Sequence, residues 1–117
     1  MSTDRTIDYV EFPAEDFDLV QKFYSQTFGW AFTSYGPDYH AFTDKTLSGG
    51  FYKSTLKSTT DSGAALLVLF AEDLEALQQE VQANGGRIHK EIFSFPGGRR
   101  FHFLDPHGNE LAVWSSK

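Results

Sequence analysis

The sequence predicts an α+β protein made of two tandem β-α-β-β-β units, and three observations carry that expectation. Ala14-Glu15-Asp16-Phe17 returns 57 positions later as Ala71-Glu72-Asp73-Leu74. The same shift lays Tyr9-Val10-Glu11-Phe12 on Leu66-Leu67-Val68-Leu69, Val20 on Leu77 and Gly29 on Gly86. Within each copy, one stretch of helical spacing is followed by three short alternating stretches separated by turn residues. A repeated supersecondary unit does not bury its apolar face alone, so the copies must pack on each other or on another chain.

In the first copy, Ile7 to Phe12 alternate as a half-buried strand should, and Pro13 is expected to close it. Asp16 is placed to cap a helix whose apolar stripe is Phe17, Val20, Tyr24 and Phe28, with Gly29 as its stop. Strands are expected near Trp30–Tyr35, Tyr39–Asp44 and Gly50–Lys53. Lys53 to Gly63 is rich in Ser, Thr and Lys without apolar period and reads as the connection between halves.

The second copy repeats the order. Ala64–Phe70 reads as a strand, Asp73 as the cap of a helix carrying Leu74, Leu77 and Val81, and Gly85-Gly86 as its end. Strands follow near Arg87–Phe93, Arg99–Leu104 and Glu110–Trp114, joined by Phe95-Pro96-Gly97-Gly98 and Asp105-Pro106-His107-Gly108-Asn109. Here the register slips, because Asp44 matches Asp105 at a separation of 61. The expected organisation is a single domain over 1–117, with module one at about 5–54, the connection at about 55–63 and module two at about 64–117.

Ten Lys plus Arg against sixteen Asp plus Glu leave a net charge of −6, which argues against a nucleic-acid partner, since such binding rests on neutralising phosphates. There is no cysteine, so disulfides, thiolate nucleophiles and zinc–thiolate knots are excluded. No apolar run approaches membrane-spanning length, and Met-Ser-Thr-Asp-Arg-Thr has no apolar signal core, so a cytoplasmic protein without membrane contact is expected. Neither a P-loop, a dinucleotide fingerprint nor a Gly-x-Ser-x-Gly elbow is present. Gly49-Gly50 and Gly97-Gly98 lack the strand-loop-helix setting of a phosphate cradle and read as turn and loop formers.

Tyr9-Val10-Glu11-Phe12-Pro13, Phe23-Tyr24, Phe28-Gly29-Trp30 and Phe103-Leu104-Asp105-Pro106-His107-Gly108-Asn109 together resemble the glyoxalase/bleomycin-resistance/extradiol-dioxygenase (vicinal oxygen chelate) superfamily. Within it the chain is most similar to small proteins related to lactoylglutathione lyase. The resemblance implies two βαβββ modules forming an incomplete barrel around a cavity, a homodimer, and in the enzymes a divalent metal that chelates substrate oxygens. It places the metal ligands on the first and last strands of each module, at Tyr9, Leu66, Ala112 and a position near Phe51 or Tyr52. Leu66 and Ala112 offer no donor to a divalent cation, so the usual metal centre is expected to be missing and no cofactor is expected.

Strand alternation sets Tyr9 with Glu11, Arg100 with His102, and Glu110 with Ala112 and Trp114. If the ligand positions face inward, as the resemblance implies, these side chains line the cavity. The expectation is a protein that binds a small organic molecule through Tyr9, Glu11, Arg100, His102 and Trp114. It is either a sequestering protein or an enzyme, glyoxalase-like, that moves protons with Glu11 or His102. The alternative is a metal-dependent lyase, isomerase or dioxygenase with a rearranged ligand set of Glu11, His102 and Glu110. Against both stands simple pairing of Glu11 or Glu110 with Arg100, with His102 hydrogen-bonding locally. His107, in a Pro-Gly turn, is expected in solvent.

Overall fold

A computed structural model describes residues 2–117. Its element order is β1 (Tyr9–Ala14), α1 (Phe17–Phe28), β2 (Ala31–Ser34), β3 (Tyr39–Thr43), β4 (Ser48–Lys53), β5 (Leu67–Phe70), α2 (Leu74–Ala83), β6 (Arg87–Phe95), β7 (Gly98–Leu104) and β8 (Glu110–Ser115). Two mixed four-stranded sheets result, in the orders β1-β4-β3-β2 and β5-β8-β7-β6. In both, the first strand runs parallel to the last and the remaining pairs are antiparallel. The strands do not close on one another, so the barrel is open, and the tandem βαβββ order stands as expected.

Both helices begin where the sequence places them. The Asp16 carboxylate accepts from Leu19 N–H and that of Asp73 from Ala76 N–H, each at 3.1 Å, filling donors that the first helical turn leaves free. Gly29 ends α1 in the left-handed region, at φ 74°, where a side chain would be strained.

One core runs through both modules. Phe12, Phe42 and Phe51 of the first sheet and Phe101, Phe103, Leu111 and Val113 of the second belong to a single cluster with helix residues Phe17, Val20, Phe23, Tyr24, Leu74 and Val81. Trp30 lies flat between Tyr24 and Phe42, at centroid distances of 4.4 and 4.2 Å. From α1, Phe23 and Phe28 both reach Phe103 of the second sheet at 5.8 Å. Polar ties reinforce this junction: Tyr24 Oη donates to Asp105, Asn109 Nδ2 to the Pro13 carbonyl, and Asn84 Nδ2 to Thr27.

Several local expectations need correction. Pro13 does not close β1, which continues to Ala14. β1 is an edge strand, and the Pro13 carbonyl points outward to Asn109, so no ladder hydrogen bond needs the missing N–H. Gly49 and Gly50 are not turn residues but buried positions inside β4. A Cβ at Gly49 would lie 2.4 Å from the Val10 carbonyl oxygen, so the close approach of β1 requires glycine there. β5 is shorter than expected because residues 64–66 follow the connection instead, with Ala64 N–H bonded to the Thr59 carbonyl. Phe95 belongs to β6 and Gly98 to β7, leaving Pro96-Gly97 as the turn. His107 is half-buried, its Nε2 bonded to the Leu56 carbonyl at 2.7 Å.

The candidate functional faces

Each sheet turns one face to the shared core and the other away from it, and the candidate side chains lie on the outward faces. The two faces do not share a groove. A groove of about 460 Å³ on the first sheet is lined only by residues of module one, among them Tyr9, Tyr35, Tyr39, Thr33 and Ser48. A groove of about 420 Å³ on the second is lined by Val68, Phe95, Pro96, Gly97, Arg100 and Trp114. Tyr9 and Glu11 therefore stand together on one face, and Arg100, His102 and Trp114 on another. Within one chain they do not enclose a common space.

On the first face, Tyr39 Oη donates to Glu11 Oε2 at 2.8 Å and lies 2.6 Å from Tyr9 Oη. Because the only Tyr39 proton is spent on Glu11, Tyr9 is the donor in the second bond. Burial first, then its bonds with Tyr9 and Glu11, push the Tyr39 phenol well above its ordinary range, so it stays protonated. The ring fits because its neighbour is Gly50, whose Cβ would meet the Tyr39 hydroxyl. Sequence reasoning missed Tyr39. The signal lay in its parity, since Tyr39 pairs with Tyr52 on β4, next but one to Gly50 and on the same face.

The second face holds two separate arrangements. Arg100 lies over Phe93 and Phe95, with its guanidinium carbon 5.3 and 5.7 Å from their centroids. Trp114 sits opposite it in the ladder and packs against Phe70 at 5.2 Å. Among the described residues Arg100 forms no ion pair, so the expected pairing with Glu11 or Glu110 is not found. Its Nε is buried without an acceptor. Phe93 and Phe95, spaced two apart, were the missed signal for this clamp.

Beside it, His102 Nδ1 and Glu110 Oε2 are 2.8 Å apart, both side chains buried. Glu110 Oε1 accepts from the backbone N–H and the hydroxyl of Thr60, at 2.9 and 2.8 Å. Burial alone would raise this carboxyl, but the bonds from His102 and Thr60 outweigh it and hold Glu110 at about 2. An ionised Glu110 fixes the His102 proton on Nδ1, and Nε2 is left buried with no partner.

The pairing register settles which positions correspond between modules. Glu11 pairs with Gly50 as Val68 pairs with Ala112, so the last-strand position of module one is Gly50 and not Phe51 or Tyr52. Tyr9, Leu66, Gly50 and Ala112 then include one side chain with a polar atom. Within one chain the rearranged set does not assemble either, since Glu11 lies on the other sheet from His102 and Glu110. Among the described residues no three His, Asp or Glu side chains converge to hold a metal ion. The donor set does not fit a divalent metal centre.

The profile of the Glyoxalase/Bleomycin resistance protein/Dioxygenase superfamily matches residues 6–113. The chain belongs to that superfamily. No curated protein matches it. Among solved structures it is similar to a glyoxalase/bleomycin resistance protein/dioxygenase family enzyme from Burkholderia phytofirmans PsJN, at 16% identity and TM-score 0.77 over 95% of this chain and 100% of that one. It is also similar to a glyoxalase-related enzyme from Fulvimarina pelagi, at 18% identity and TM-score 0.74 over 95% of this chain and 88% of the other. A lactoylglutathione lyase from Agrobacterium tumefaciens aligns at 18% identity and TM-score 0.72 over 97% and 96%. At such identities the likeness is one of fold. Among the described residues no helix is long and apolar enough to cross a membrane.

Proposed function

We propose that this superfamily member is a small-molecule-binding protein whose ligand is a flat organic anion seated on the second sheet. One observation carries this: the Arg100 guanidinium, held over Phe93 and Phe95 beside Trp114, has no carboxylate partner in a chain whose acids outnumber its bases by sixteen to ten. A cation left unpaired against apolar rings suits a carboxylate attached to an aromatic or aliphatic body. Benzoate is the first probe, followed by tryptophan fluorescence. Saturable quenching that R100A weakens at least tenfold supports the reading, whereas equal binding of neutral benzamide overturns it.

The protein works as a homodimer in this reading. Val68 and Phe70 on the second face are 44% and 50% exposed, and Tyr9 and Tyr35 on the first are 44% and 70% exposed. Apolar surface of this kind on both faces suits cover by a second copy, which would also enclose the open groove. A sedimentation mass of one chain at micromolar concentration would sink the dimer. Absence of cysteine and a net charge of −6 support a cytoplasmic protein with no nucleic-acid partner.

A second reading, a proton-transfer enzyme, is favoured by the unpartnered Nε2 of His102 behind an ionised Glu110. That pair is built as an oriented base, with Nε2 taking a proton from a ligand carbon or oxygen. Its test is deuterium exchange into a bound ligand, lost in H102Q while binding persists.

A further inference from the structure

We propose a phosphate site outside both grooves, where Lys57, Arg87 and His89 hold the dianionic phosphate group of a small metabolite. The three line a cavity of about 350 Å³ between the connection, the start of β6 and the turn at 105–108. It shares no lining residue with the groove at Arg100 or with that at Tyr9. None of the exposed apolar side chains assigned above to the dimer lines it either. Its volume falls at the small end of ligand sites, which run from about 300 to 1,000 Å³.

The chain is acidic, but this cavity is not. Lys57 and Arg87 form no ion pair among the described residues, and the exposed carboxylate in the lining is that of Asp61 alone. Asp105 also lines the cavity, yet its carboxylate is buried and taken up by bonds from Tyr24, His107, Gly108 and Asn109. His107 is spent as well, its Nε2 on the Leu56 carbonyl and its Nδ1 on the Glu15 N–H. That leaves His89 as the imidazole able to meet a ligand.

Local backbone sets these groups. Ser58 N–H bonds to Asn109 at 2.9 Å and the Ser58 carbonyl accepts from Glu110 N–H at 2.8 Å, so the neighbouring Lys57 springs from a fixed point. Its stem crosses Gly108, where a Cβ would come within 2.9 Å of Lys57 Cδ. On β6 the register shifts between Ile88 and Lys90, and His89 has no partner in the ladder. Such a bulge re-aims a side chain, and here His89 joins Arg87 in one cavity. An ammonium and a guanidinium from two elements match a compact dianion, since both give charge-assisted bonds to its oxygens. A metal ion finds no site there, because no three His, Asp or Glu side chains converge among the described residues.

Methyl phosphate and methyl sulfate are the probes, alike in shape and different in charge at about pH 8, titrated into the full chain and followed by backbone and His89 NMR shifts. Methyl phosphate is expected to saturate with millimolar affinity, at least fivefold tighter than the sulfate, and to weaken as salt rises. K57A and R87A should each weaken it at least fivefold and D61N should tighten it, all with the thermal midpoint held. R100A, which weakens benzoate, should leave methyl phosphate unchanged, so this site and the Arg100 site fail or survive independently. Equal affinity for methyl sulfate, an unchanged titration in K57A and R87A, loss of binding in R100A, or no saturation up to roughly 50 mM each overturns the proposal.

Discussion

The two modules share a topology and the side of each sheet that is buried, and they differ on the side that is not. Facing the core, Phe42 and Phe51 of one sheet correspond in register to Phe103 and Val113 of the other. On the outward faces Tyr39 corresponds to Arg100, Ala41 to His102, and Glu11 to Val68. Burial restrains the first set, because any polar group there would lose its water. The second set is restrained unevenly: Tyr39, Arg100, Glu11 and Val68 reach solvent, whereas His102 is buried against Glu110. A phenol and carboxylate face has arisen on one copy and a guanidinium and indole face on the other, over the same backbone.

The turns before the last strands differ as sharply and give the largest effect. Asp105 accepts five hydrogen bonds, from Tyr24, His107, Gly108 and twice from Asn109, at the junction of the modules. Asp44, its counterpart, accepts three local bonds from Thr46 and Leu47 nearer the surface. D105A should cost about 3–5 kcal/mol by urea denaturation, since it strands buried donors, and D44A about 1 kcal/mol or less. Equal losses would mean that Asp105 does not hold the modules together.

Next comes acid. The Glu110 carboxyl is lowered from 4.5 to about 2, so its contribution is complete above pH 4.5 and is lost as pH falls towards 2. That contribution is roughly 3 kcal/mol. Burial raises Asp105 and gives it the opposite slope, so the comparison is the wild type against E110Q, which should flatten the loss across this window. Parallel acid profiles would remove Glu110 as the cause.

The paired glycines separate packing from site geometry. G49A drives a Cβ into the Val10 carbonyl and should cost about 1–3 kcal/mol, while G50A meets only the far end of the Tyr39 side chain and should cost less than about 1 kcal/mol. G50A should nonetheless push the Tyr39 hydroxyl off Glu11, which a changed Tyr39 ring shift by NMR would report. Smallest of all is R99A, which removes an exposed 2.6 Å pair with Glu75 and should shift the thermal midpoint least of the set, and less still in high salt.

What the chain reveals before folding follows the same division. Caps, helical stripes and the repeat are local patterns, so Asp16, Asp73, Gly29 and the order of strands were legible. The partners of Glu11 and Arg100 were not. Tyr39 reaches Glu11 only because β4 lies between β3 and β1 and carries glycine at position 50, a relation set by sheet order and not by spacing along the chain. Thr60 was hidden for a different reason. Its segment has no apolar period, so nothing in it announced that it would hydrogen-bond to a buried carboxylate. Alternation set Tyr9 with Glu11, and Arg100 with His102, on shared sides of their strands, as the ladders have them, but which sheets enclose a common space depends on how the modules pack.

The connection between the modules is fastened at its far end. Ser58 N–H bonds to Asn109, the Glu110 N–H to the Ser58 carbonyl, and Thr60 to the Glu110 carboxylate. Upstream of those bonds Leu56 is 68% exposed. A polypeptide nicked beside Leu56 is expected to stay associated through the shared core and the Tyr24–Asp105 and Asn109–Pro13 bonds, as the elution volume after limited proteolysis would report.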